Sequence, residues 1–130
     1  RKGFTLVELI VVVAILGILA AVAVPRFGSS RLSAAVSAHN ANVRTIESAA
    51  TMYLAENTGT LSMAELTADG KYLNNEPDVP AILKGKTITS SEDSTGVTIS
   101  ADAKYEVSED SGVITVTPGL IPIGNDYEAE

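Results

Sequence analysis

Residues 9–24 are all apolar or glycine, a run of 16 without a charge or a hydroxyl. A helix that is apolar all round needs lipid or a large protein core about it. The rest of this 130-residue chain is one modest domain rich in Ala, Ser and Thr, near the lower size limit for independent stability. It is too small to surround such a helix. Extended back to Phe4, the segment supplies 21 positions with only Thr5 and Glu8 polar. That matches the roughly 20 residues a membrane-spanning helix needs. A secretory signal peptide has a shorter apolar core of about 7–15 residues followed by a cleavage site of small residues. Ala20-Ala21-Val22-Ala23 is the nearest candidate, and no polar mature start follows it. Length favours a span.

Glu8 is the informative residue. A carboxylate within a membrane helix is costly, so such groups are rare and mark function, with a partner elsewhere. At the membrane edge it would merely reach headgroup water. No Lys, Arg or His lies within residues 4–24 to neutralise it. A free amine created by cleavage just before Phe4 would serve as its cation.

Gly3-Phe4-Thr5-Leu6-Val7-Glu8, preceded by the basic pair Arg1-Lys2 and followed by an apolar helix containing Gly17 and ending at Pro25, resembles the class III signal peptide of type IV prepilins. The match is close over residues 1–27 and looser along the helical continuation. The resemblance implies that a prepilin peptidase cuts between Gly3 and Phe4 on the cytoplasmic side and that Phe4 becomes the N-methylated terminus. It makes residues 1–3 a leader remnant and Glu8 the glutamate of the motif, acting with Phe4 in assembly. It also implies a cytoplasmic assembly ATPase and a membrane platform protein as partners, beside the chain itself as a helical homopolymer.

The implied mechanism can be weighed physically. Lipid tails are as apolar as Leu, so moving this helix from lipid into a bundle of like helices changes its burial little. Pairing Glu8 with the Phe4 amine of a neighbouring subunit relieves two desolvated charges and sets axial register. Removing one partner of such a pair typically costs about 3–5 kcal/mol.

Gly17 and Pro25 weaken the helix at two points, since an interior proline removes a hydrogen bond at a cost of about 3 kcal/mol or a kink. Gly28-Ser29-Ser30 follows closely. This stretch reads as one able to kink or melt on assembly, in preference to a helix end with a new helix starting near Ser30. Beyond it, Leu32, Val36, His39, Val43, Ile46, Ala50 and Tyr53 recur at spacings of four and three, an apolar helical stripe. Asn57-Thr58-Gly59 reads as its stop. A nearly continuous helix over residues 4–56 would be about 80 Å long. Residues 4–25 are expected as the membrane and filament-core helix, 26–57 as the amphipathic helix carrying the head, and 58–130 as the head.

Within the head, Ser62-Met63-Ala64-Glu65 has capping-box spacing, predicting a short helix over residues 63–69. Segments 87–89, 97–101, 104–107 and 113–117 read as strands, with Glu109-Asp110-Ser111-Gly112 as a hairpin turn. The expected fold class is α+β: a long N-terminal helix under a small antiparallel sheet of three or four strands. Residues 118–130 read as an extended, acidic surface segment.

His39 is the only histidine and sits on the apolar stripe, so a packed neutral ring is the expectation rather than a ligand. No nucleophile elbow, phosphate loop, HExxH or Cys/His cluster occurs, and no enzyme activity or cofactor is expected. The absence of cysteine removes disulfides and thiolate metal sites. Acidic residues scattered from Glu92 to Glu128 lack EF-hand spacing and read as a solvated surface, with calcium binding the minority alternative. A net charge of −7 opposes non-specific nucleic-acid binding, which needs a basic face.

The leading functional expectation is a structural subunit of a type IV pilus, held in the cytoplasmic membrane before assembly and extracellular afterwards. The alternatives are a pseudopilin of a type II secretion or DNA-uptake machine and a single-pass anchored binding module.

Overall fold

A computed structural model of the chain describes residues 3–130. The expected leader residues Arg1 and Lys2 lie outside them. One helix, α1 (Leu6–Glu56), dominates the molecule. At 51 residues it is about 77 Å long. Its backbone is helical without a break through Gly17 and Pro25, so no second helix begins near Ser30. Every residue of the predicted stripe, from Leu32 to Tyr53, is buried against the head. The helix stops at Asn57, whose extended backbone ends the pattern while its N–H donates to the Tyr53 carbonyl at 2.8 Å.

The head begins with α2 (Met63–Thr67), where the Ser62 hydroxyl accepts from the Glu65 N–H at 3.3 Å. It is shorter than expected, and Leu66 is its buried anchor. A 3-10 turn over Ala81–Leu83 leads into β1 (Lys86–Ser90). Four more strands follow: β2 (Val97–Ile99), β3 (Glu106–Asp110), β4 (Val113–Thr117) and β5 (Tyr127–Ala129).

Two departures from expectation matter. The strands form two antiparallel sheets rather than one: a three-stranded sheet in the order β2-β1-β5 and a separate β3-β4 hairpin. Ile88 and Ile99 seal the first sheet and Val107 and Val116 face inward from the hairpin, all on the core that α1 completes. The hairpin loop is also two residues shorter than predicted. Glu109 and Asp110 belong to the strand, and the loop is Ser111-Gly112 alone, both with positive φ (53° and 86°). That is the two-residue turn whose twist suits a hairpin, and glycine adopts its second position without strain.

The second departure is the C-terminal segment, which is a structural strap and not a loose surface tail. Ile121 is fully buried and β5 completes the sheet beside β1, from Ile88↔Ala129 to Ser90↔Tyr127. Two residues of α1 hold the strap. His39 Nε2–H donates to the Gly119 carbonyl at 2.8 Å. Asn40 grips the Ile121 backbone from both sides, its amide donating to the carbonyl at 2.9 Å and its oxygen accepting from the N–H at 2.8 Å. The other imidazole nitrogen, Nδ1, accepts the Tyr105 hydroxyl at 2.8 Å, and the two rings stack. Both ring nitrogens are thus satisfied in the neutral form, and burial holds the His39 pKa below the usual histidine value despite the opposing Gly119 bond.

Candidate assembly site

Assembly chemistry was expected at the N-terminal end of α1, and the structure places Phe4 and Glu8 there with an unexpected partner between them. Thr5 is the helix N-cap, and its hydroxyl accepts from the Glu8 N–H at 3.2 Å. In return one Glu8 carboxylate oxygen accepts from the Thr5 N–H at 2.8 Å and from the Thr5 hydroxyl at 3.0 Å. This is a reciprocal capping box. The expectation of a cation from outside the helix does not include these neutral partners, which Glu8 already has within its own first turn. Two local donors and the positive end of the helix dipole support its charge. The Thr-x-x-Glu spacing was readable in the sequence, as it was at Ser62 and Glu65.

Phe4 lies just outside the helix, which begins at Leu6 rather than at Phe4, and is 94% exposed. Gly3 precedes it in an equally open position, where an added Cβ would meet nothing within 4 Å. The junction between them is accessible on all sides in the isolated subunit. Phe4 and Glu8 share the same end of the helix, but nothing within the subunit brings the Phe4 amine onto the Glu8 carboxylate; that oxygen is occupied by Thr5.

From Leu6 to Val24 every large apolar side chain is exposed. Burying a single such side chain is worth about 1.5–3 kcal/mol, so leaving thirteen in water forgoes on the order of 20 kcal/mol or more. That exceeds the roughly 5–15 kcal/mol by which a domain is stable. The segment must lie in lipid or against other helices. Among the described residues it is the one helix long and apolar enough to cross a membrane. A Cβ on Gly17 would meet nothing, so no packing inside the subunit demands glycine there. Pro25 has no N–H to give the carbonyl four residues back.

An exposed apolar rod, a glutamate capped near its tip and a small strand-rich head packed on its far half define a filament-forming, membrane-anchored subunit. A model of the prokaryotic N-terminal methylation motif matches residues 1–24. The chain is 39% identical over 103 residues to the type IV narrow pilus major component PilA5 of Thermus thermophilus, an alignment covering 78% of this chain and 81% of that protein. The chain belongs to the type IV pilin family, whose members are structural subunits. No solved structure matches it.

Proposed function

We propose that the chain is stored in the cytoplasmic membrane by residues 4–25, cut between Gly3 and Phe4, N-methylated on Phe4, and polymerised through α1 into an extracellular pilus. The observation that carries this reading is the capped Glu8 at the tip of an otherwise apolar, wholly exposed helix. In the stored subunit the Thr5 donors keep the carboxylate satisfied in lipid. On assembly, the methylated amine of Phe4 on a neighbouring subunit remains cationic and supplies the counter-charge that no side chain of the span provides. Residues 26–57 carry the head of residues 58–130, and Gly17 and Pro25 are the points where the helix yields as subunits are drawn into the filament.

Lipid and helix bundle solvate the apolar face about equally. The work of extraction therefore falls to a cytoplasmic ATPase acting through a membrane platform protein. Similarity to a pilus major component favours a pilus over a pseudopilus. Glu8→Ala or Glu8→Val tests the reading: the variant should insert into the membrane at normal levels and yield few filaments. Normal filament yield would refute the pairing.

A further inference from the structure

Beyond the apolar helix, the head itself carries two complementary patches that nothing in the subunit occupies. The first lies where α1 meets the C-terminal strap. Arg44 and Ile123, with Tyr127, line a recess of about 250 Å³ on the outer side of the helix. Ile123 is 72% exposed, the most exposed large apolar side chain of the head. Arg44 is exposed and has no carboxylate partner; the single ion pair among the described residues joins Lys71 to Glu56. The second patch is the tip of the β3-β4 hairpin. There Val113, 64% exposed, is paired across the strands with Asp110 and neighboured by Glu109. Both carboxylates take only neutral donors from their own turn: Glu109 from the Gly112 N–H, Asp110 from the Ser111 hydroxyl.

Each patch is thus an apolar side chain beside unpaired charge, positive at the strap and negative at the hairpin. The same division runs through the whole chain. Residues 26–46 contain three Arg and no acid, whereas beyond residue 57 acids outnumber bases 13 to 4. Apolar anchors flanked by Arg and opposite charge are the usual makings of a specific contact. The strap and the hairpin tip are different elements, so a contact between them leaves each copy with one strap and one tip for further copies unless it closes on itself. Where it closes neither into a twofold pair nor into a ring, such a contact is heterologous and propagates into a helical filament. The strap patch is continuous with α1, the element that the proposed function makes the filament core.

We infer that the Arg44–Ile123 recess receives the Val113 hairpin tip of a second copy of this chain, with Arg44 pairing to Asp110 and Glu109. This rests on the pilus reading above. It locates a head-to-head contact that adds register and salt sensitivity to the apolar core, since exposed charge pairs weaken as salt rises.

The chain has no cysteine, which makes cross-linking clean. The full chain carrying both Val113→Cys and Ile123→Cys is expressed as the pilin of a pilus-bearing cell, and sheared filaments are mildly oxidised. A ladder of covalent multimers that collapses on reduction is expected, with each single-cysteine variant remaining monomeric. Filaments of the double variant that stay monomeric would overturn the contact. Charge exchange gives an independent reading: Arg44→Glu and Asp110→Arg should each lose filament yield while the subunit stays folded and membrane-inserted, and together should regain it. Normal yield from either single change, or no recovery in the pair, also overturns it. Failure of the unaltered chain to form filaments at all would instead refute the pilus reading on which the contact depends.

Discussion

Acid should loosen the head through His39. The ring is completely buried, its Nδ1 accepts from Tyr105 and its Nε2–H donates to Gly119, so a second ring proton requires the Tyr105 hydroxyl to give up its donation and turn to accept, around a charge closed off from water. Burial holds the folded pKa below 6.5. Below about pH 6.5 the unfolded chain therefore takes up a proton that the fold refuses, and protons draw the equilibrium towards unfolding. The full contribution of neutral His39 is present above pH 6.5 and falls as pH is lowered towards the folded pKa, with a limiting slope of about 1.4 kcal/mol per pH unit. His39→Leu keeps most of the bulk and abolishes that slope. It also takes from the Tyr105 hydroxyl its acceptor and from the Gly119 carbonyl its donor, at about 1–3 kcal/mol each. Adding Tyr105→Phe removes one orphan and should recover about 1–3 kcal/mol of the loss. Urea unfolding of the detergent-solubilised subunit from pH 7.5 downwards, followed by tyrosine near-ultraviolet dichroism, reads the difference between the native chain and His39→Leu. Carboxylates titrate in both and cancel to first order. An identical pH dependence in the two proteins would refute the assignment of the acid sensitivity to this ring.

Two further perturbations probe other parts of the fold. Thr5→Val removes the hydroxyl that both caps α1 and donates to Glu8, and should fray the first turn and lower filament yield, whereas Thr5→Ser should preserve both; amide exchange over residues 6–9 and filament counts read the outcome. Gly124→Ala would bring a Cβ within 1.9 Å of the Ser90 hydroxyl, so either Ser90 must leave its rotamer or the strap must lift from β1; a loss of about 1–3 kcal/mol is expected by thermal melting, partly restored by Ser90→Ala.

What was legible in the sequence follows the range of the interactions involved. The stripe from Leu32 to Tyr53 is set by local periodicity against one apolar surface, and each of its residues is buried. The stop at Asn57 and the Ser62 cap are equally local. The division into two sheets is not, because it depends on which strand edges meet: β5 lies beside β1, some forty residues back along the chain. The strap is not legible for a related reason. Its Pro and Gly residues read as loop, and its place in the core rests on single groups, Ile121 against α1 and the backbone bonds from His39 and Asn40. At the assembly end the residue types Phe4 and Glu8 stood out, whereas Thr5 did not. A charge in an apolar run points to a cation, whereas within the subunit the carboxylate takes neutral donors three residues away.

The central claim is that this helix is a processed assembly element and not a tether. Mass spectrometry of the N-terminal peptide from subunits of sheared surface filaments tests it most directly. The account predicts a chain beginning at N-methylated Phe4, free of Arg1, Lys2 and Gly3. Filament subunits that still carry Gly3 ahead of Phe4, or filaments that do not contain this chain, would contradict it.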